Sequence, residues 1–218
     1  MHIRPSALLH AAIGAGVVGA AVLFAGQPAD KPASAPAGQP PAGGMPEGMD
    51  QQKMMEQWAA LMKPGKAHEG LKKSVGEWTT VTRVWMDPKA PPQEFKGSAS
   101  FKMVLNDHFL QQDFKGDMMG ETFTGIGLTG YDNARKQYTM CWADSMTTSF
   151  TQGTGGISPD GKTITMFGTM DEPALGEVGK HVKYVTRHPS DNTMFFEIWE
   201  VQYGDPFKVM EVEYTRKK

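Results

Sequence analysis

Residues 76–86 have the sequence GEWTTVTRVWM, and this stretch decides the class of fold. Because the side chains of a β-strand point alternately to its two sides, a residue pattern with a period of two predicts a strand. The threonine and valine content of the stretch favours the same assignment. One face of the predicted strand carries Trp78, Thr80, Thr82, Val84 and Met86.

The period of two continues towards the C-terminus. Turn signals such as Asp132-Asn133 and Asp160-Gly161 separate the alternating stretches. Sequential strands joined by tight turns predict a mainly β protein, an antiparallel up-and-down barrel of about eight to ten strands whose closure removes exposed edges. The clearest further alternating stretches are residues 95–105, 138–146, 194–198 and 212–216.

The chain ahead of these strands predicts a helical segment, residues 50–74, before a β-barrel domain, residues 75–218. Asp50 is suited to cap a helix, and Pro64-Gly65 is suited to end it. A methionine-rich stripe also suits a metal or an adaptable binding surface, but a stripe that faces a core, or that covers one mouth of the barrel as a lid, is the simpler interpretation. The apolar side chains recur at spacings of three and four, at Met54, Met55, Trp58, Leu61 and Met62.

The first 49 residues have a different composition. Residues 1–26 combine one early charge, Arg4, with the uncharged run 11–26, which is typical of a secretory signal peptide. Counted from residue 7, the run could instead stay in the membrane, with residues 7–26 as a tether. We expect an exported protein, periplasmic or envelope-associated, with the signal cleaved rather than retained. Residues 27–49, rich in proline, alanine and glycine, predict a disordered linker.

The composition excludes several classes of function. The chain has 22 Lys+Arg against 24 Asp+Glu and a formal net charge of −2, so we expect no nucleic-acid partner. A single cysteine excludes an internal disulfide framework and a multi-cysteine metal cage. The oligomeric state stays open.

Three stretches of the barrel domain together resemble a known family. They are GEW at 76–78, GYDN at 130–133 with WADSM at 142–146, and YTR at 214–216. In this order, within residues 68–216, they are similar to the bacterial family catalogued as domain of unknown function 1579. That family is lipocalin-like, so the resemblance implies a calycin-type barrel, and it implies no activity.

The resemblance also implies a structural role for three residues. Lipocalin-type barrels carry Gly-x-Trp on the first strand and an arginine on a late strand that packs across the indole. Gly76, Trp78 and Arg216 match this pattern. A guanidinium stacked on a tryptophan closes one barrel end with a cation–π contact of about 0.5–2 kcal/mol. Since a closed barrel places its first and last strands side by side, we expect Trp78 and Arg216 to touch.

Residues 125–130, GIGLTG, match the glycine pattern of a dinucleotide-binding loop. Such a site needs a strand before the glycines and a helix after them. Here a turn, YDNARK, and another alternating stretch follow. We therefore expect a glycine-bearing strand, at a point where the barrel bends or a neighbouring group packs closely.

The histidines of the barrel region do not form a metal-binding pattern, since none belongs to an H-x-H or H-x-x-x-H pair. Barrels related to lipocalins can hold haem through one histidine, so a single ligand stays an alternative. His108 and His188 lie beside turn signals, where histidines are mostly solvated. We expect no metal site and no cofactor. The four histidines beyond the linker are His68, His108, His181 and His188.

The alternating stretch 138–146 carries a candidate ligand-binding group. Asp144 falls on its apolar face, and if that face points inward, the buried carboxylate needs a partner such as Arg187, Arg83 or a tyrosine hydroxyl. A buried, hydrogen-bonded carboxylate is either part of a structural network or a group that orients a ligand. The candidate ligand-binding residues are Tyr138, Met140, Trp142, Asp144 and Arg187.

Three functions fit this sequence. The leading one is a non-enzymatic barrel that binds a small apolar or amphipathic molecule among methionine and aromatic side chains. The second is an enzyme with an inward carboxylate as general base, either Asp144 or whichever of Glu197 and Glu200 faces inward, although no catalytic residue can be assigned. The third is a structural or interaction protein whose barrel is filled by side chains. The bulk at inward positions discriminates the first function from the third.

Overall fold

The computed structural model describes residues 50–118, 120–172, 176–202 and 204–218. The predicted signal or anchor, residues 1–26, and the predicted linker, residues 27–49, lie outside the described residues. The described part of the chain divides into two units, with the boundary between Ala60 and Leu61. All the β-strands belong to the second unit.

Two helices and a 3₁₀ turn precede the strands. Helix α1 spans Gln51–Met62, and the amide of Gln52 donates a hydrogen bond of 2.9 Å to Oδ1 of Asp50, which confirms Asp50 as the cap. None of the residues of α1 is buried, which corrects the interpretation of its apolar stripe as facing a core. Within the described ranges, no helix has the length and apolar character needed to cross a membrane. Helix α2 spans Lys66–Leu71, and the 3₁₀ turn spans Lys72–Ser74.

Ten antiparallel strands form a closed barrel, which confirms the predicted fold class. Each strand pairs with its neighbours in sequence, and β1 pairs with β10 to close the sheet. The strands are β1 Gly76–Val84, β2 Gln93–Val104, β3 Phe109–Met118, β4 Glu121–Asp132, β5 Gln137–Asp144, β6 Thr151–Ile157, β7 Thr163–Glu172, β8 Glu177–Ser190, β9 Thr193–Glu200 and β10 Phe207–Arg216.

Antiparallel pairing gives the barrel two distinct ends. We call the end where β1 begins and β10 finishes the helix end, because the 3₁₀ turn leads directly into β1 there. The hairpin turns β6–β7 and β8–β9 also lie at the helix end. The opposite end, which we call the far end, carries the β5–β6 and β7–β8 connections. The buried core includes Trp78, Phe101, Leu110, Tyr138, Met166, Tyr184, Met194 and Tyr214.

The helix end is closed by Trp78 and Arg216, which are direct partners in the β1–β10 register. Trp78 is fully buried, and its Nε1 donates a hydrogen bond of 2.8 Å to the carbonyl oxygen of Ser74. The guanidinium carbon of Arg216 lies 4.2 Å from the centre of the Trp78 ring, so the predicted contact is present. Arg216 also donates hydrogen bonds to the carbonyl oxygens of Lys73, Val75 and Asp191.

Gly76 is required where it stands for two reasons. Its φ of +128° is a conformation that residues with a side chain rarely adopt. A Cβ atom at this position would also lie 2.8 Å from Nη1 of Arg216. The glycine thus makes room for the guanidinium that covers Trp78.

Candidate functional site

The interior of the barrel contains a cavity of about 370 Å³. The diameter of a barrel grows with its number of strands, so a barrel of ten strands encloses more space than its inward-facing side chains fill. Its wall is rich in methionine and aromatic side chains, and its polar lining residues include Gln112, Thr129 and Thr186. Apolar lining residues include Leu110, Phe123, Met140, Met166, Met194 and Phe196.

The cavity stays open because large rings lie against glycine-bearing strands. A Cβ atom at Gly125 would lie 2.1 Å from the indole of Trp142, and one at Gly127 would lie 3.1 Å from it. On β6, the strand next to β5, a Cβ atom at Gly153 would lie 3.0 Å from the ring of Tyr184. Rings that occupy the space of missing side chains line the wall instead of crossing the lumen.

The same geometry explains the GIGLTG stretch. Gly125 and Gly127 accommodate Trp142, and a Cβ atom at Gly130 would lie 2.6 Å from the ring of Phe109. The three glycines belong to β4, and the chain continues into β5 without a helix. They are therefore packing positions, as we expect from the sequence, and not a dinucleotide-binding loop.

Asp144 lines the cavity at the far end of β5, together with Trp142 of the same strand. Its Oδ2 accepts a hydrogen bond of 2.9 Å from Nε1 of Trp142. Its Oδ1 accepts bonds of 2.9 and 3.0 Å from the amides of Met146 and Thr147. The carboxylate therefore fixes both the indole ring and the start of the β5–β6 connection, and its partners are not the arginines or the tyrosine hydroxyl that we expected.

Arg187 does not line the cavity, which corrects our placement of it beside Asp144. It lies on the outer wall, where its guanidinium donates a hydrogen bond of 2.5 Å to Oε1 of Glu197 and lies over the Phe195 ring. Burial opposes ionisation of Glu197, but hydrogen bonds from Trp199 and Arg187 outweigh it, so the pKa of this carboxyl group is lowered. The positive charge of Arg187 is thus paired with Glu197 on the outside of the barrel.

Of the two glutamates considered for the interior, Glu200 is the one that alternates with the cavity-lining residues of β9. It lies 3.6 Å from Nζ of Lys180, which also pairs with Glu172 and Glu177. Lys180 is buried despite its charge, and its pKa is raised because the three carboxylates outweigh desolvation. This ion-pair group occupies the far end of β7, β8 and β9.

The other two candidate residues of β5, Tyr138 and Met140, line the cavity as expected from alternation. Tyr138 is buried, its ring lies 5.1 Å from that of Tyr131 in an edge-to-face contact, and burial raises the pKa of its hydroxyl. On β8, Tyr184 stacks on Phe196 of β9, with the ring centres 6.1 Å apart. Sequence analysis missed Tyr184 because β8 carries a charged residue on the inward face and an apolar residue on the outward face, which obscures its alternation.

His188 belongs to β8 and lines the cavity, although its position next to Pro189 suggested a solvated turn. Its Nε2 lies 3.0 Å from Oγ of Ser74. Burial lowers the pKa of the imidazole, and the positive charges of Lys73 and Arg216 lower it further. His188 is therefore a neutral polar group at neutral pH. In the residues that the structure covers, no three His, Cys, Asp or Glu side chains are grouped as a metal site would require.

Comparisons with known proteins agree with this architecture. The model of the family described as "Protein of unknown function (DUF1579)" matches residues 63–216. Rv2717c from M. tuberculosis, a solved crystal structure, is similar in fold with a TM-score of 0.53 at 14% identity, over 72% of this chain and 100% of that chain. No curated protein matches the sequence. The structural similarity at this identity concerns the fold alone.

Proposed function

Because this chain belongs to the DUF1579 family, whose description names no activity, we propose its function from the cavity: non-enzymatic binding of a small apolar or amphipathic molecule inside the barrel. The observation that carries the proposal is the cavity of about 370 Å³ with its methionine and aromatic wall. Pockets for small molecules fall in a range of about 300–1,000 Å³ and have apolar walls with a few polar groups. Methionine side chains suit an adaptable fit, since they are flexible and polarisable.

The arrangement of the interior supports binding over a filled structural core. A filled barrel would use its largest side chains to cross the lumen, whereas Trp142 and Tyr184 lie on glycines of the wall. The hydrogen bonds to Asp144 support a positioning role for this residue over a catalytic one. Both carboxylate oxygens already accept hydrogen bonds from Trp142 and from the loop that follows.

A blocked cavity tests the proposal. We expect the full chain to bind the uncharged apolar dye N-phenyl-1-naphthylamine, and the variant Thr186→Phe to bind it at least about tenfold more weakly, because the new ring occupies the lumen. Dye fluorescence is titrated at fixed protein concentration. The matched control is Thr154→Phe, the same substitution at an exposed position on β6. Equal binding by all three proteins, each folded by circular dichroism, would contradict binding inside the barrel.

The proposed site of action is outside the cytoplasm, in the periplasm or at the envelope. The uncharged run 11–26 and the proline-rich stretch 27–49 support this placement. We expect residues 1–40 to export a reporter that is active only after translocation, and substitution of two leucine or valine residues of the run by aspartate to abolish its activity. A reporter retained in the cytoplasm by the unaltered sequence would contradict the proposed location.

A further inference from the structure

A second, smaller cavity of about 150 Å³ adjoins the first at the helix end of the barrel. We propose that it binds the anionic head group of an amphipathic ligand, whose apolar tail occupies the main cavity. This inference rests on the proposed binding function and adds the charge and the orientation of the ligand.

The two cavities share part of their walls. Lys73, Gly161, Lys162 and His188 line both of them. Lys73 comes from the 3₁₀ turn before β1, and Lys162 comes from the β6–β7 turn. The two lysines are distant in sequence, and closure of the barrel brings both of them to the smaller cavity. A molecule that extends from the smaller cavity into the larger one therefore passes along Lys73, Lys162 and His188, which line both cavities.

The two lysines are available to a ligand. Within the described residues, neither ammonium group forms an ion pair, whereas the neighbouring Lys72 pairs with Glu69 and Asp107 at 2.9 Å. Asp160 lies in the same turn as Lys162, but its Oδ1 already accepts hydrogen bonds from Oγ of Ser158 and the amide of Lys162.

The balance of charge at the smaller cavity is positive. Among the described residues that line it, Asp191 is the one acidic residue, against Lys73 and Lys162. The lowered pKa of His188, caused first by burial and then by Lys73 and Arg216, is consistent with a positive local potential. A carboxylate or phosphate head group is the complementary ligand chemistry.

The far end of the main cavity has the opposite character. The charged lining residues described at that end are Asp117, Asp144 and Asp171, with Lys96 as the one cation among them. Negative charge at the far end disfavours an anion there, and positive charge at the helix end attracts it. The charge distribution thus orients an amphipathic anion with its head at Lys73 and Lys162 and its tail towards Trp142.

Matched ligands separate the head group from the tail. Dodecanoate and dodecan-1-ol have the same chain length and differ in charge, and each is titrated to displace N-phenyl-1-naphthylamine from the full chain at pH 8. We expect dodecanoate to bind more tightly than the alcohol. The variant Lys73→Met/Lys162→Met should lose about tenfold in affinity for dodecanoate, the amount that two exposed charge pairs supply, and keep its affinity for dodecan-1-ol. Lys115→Met, at an exposed lysine of β3, is the control.

Three outcomes would overturn the inference, and they differ in what they say about the proposed function. If both ligands bind equally and the double variant changes neither, the cavity binds apolar molecules and the head-group site is wrong. If Lys115→Met weakens dodecanoate as much as the double variant does, the effect is general surface charge and the site is again wrong. If neither ligand displaces the dye from the unaltered protein, the head-group site is wrong, and the proposed function fails with it only if the dye itself does not bind.

Discussion

Trp78→Ala is expected to lower the free energy of unfolding by about 3–5 kcal/mol, the usual cost of truncating a fully buried tryptophan. The substitution removes edge-to-face contacts with Phe101 and Tyr214 and the hydrogen bond to Ser74. It also leaves the guanidinium of Arg216 without the ring that it covers. Urea denaturation followed by circular dichroism measures the loss.

A double-mutant cycle tests whether Trp78 and Arg216 act as a pair. We expect a coupling energy of about 0.5–2 kcal/mol between Trp78→Ala and Arg216→Ala, in the range of a partly desolvated cation–π contact. Arg135→Ala is the control, since Arg135 is an exposed arginine that pairs with Asp132 in a turn. Additive effects of the Trp78 and Arg216 substitutions would contradict their pairing.

Gly155→Ala and Gly156→Ala are expected to differ by about 1–3 kcal/mol in stability, although the two glycines are adjacent in β6. A Cβ atom at Gly155 would lie 2.0 Å from the carbonyl oxygen of Thr165 and 2.6 Å from Cα of Met166. Because both obstacles are backbone atoms of β7, no side-chain rotation relieves the clash, and the strands must separate. At Gly156 no atom lies within 4 Å of the new methyl group.

The neighbouring control makes this comparison direct. Both substitutions reduce the freedom of the unfolded chain to the same extent, so the difference between them reports the folded state. Thermal unfolding of the two variants and the unaltered protein gives the difference. Equal stability of Gly155→Ala and Gly156→Ala would show that β6 and β7 are not as close as the structure places them.

The barrel was predictable because the alternation of residue types along a strand indicates which of its side chains face inward. The alternation of Trp78, Thr80 and Thr82 appears as alternating burial along β1, and the Tyr138 to Asp144 face lines the cavity. The contact of Trp78 with Arg216 followed from closure, because a barrel has no other way to pair its first strand. Local pattern and topology thus determined the fold without knowledge of the register of each strand pair.

The partners of the charged groups were not predictable in the same way. Arg187 was assigned to Asp144 because their charges are complementary, but one step of alternation on β8 places Arg187 outside, beside Glu197. Asp144 instead binds Trp142, two residues away on its own strand. Lys73 and Lys162 line the same cavity only because the barrel closes, so no local pattern in the sequence could have predicted that they are neighbours. Charge complementarity selects a partner only after register has decided which groups are neighbours.

The pairing of β1 with β10 has a consequence for the protein during its synthesis. Arg216 and Val75, which its guanidinium holds, are separated by 141 positions in the chain. Until β10 is made, the unpaired edges of the open sheet are β1 and whichever strand was made last, and such edges can pair with other chains. At a translation rate of about 5–20 residues per second, this interval lasts roughly 7–28 s. Hairpins can form one after another as the ribosome proceeds, but the growing sheet keeps unpaired edges until β10 pairs with β1.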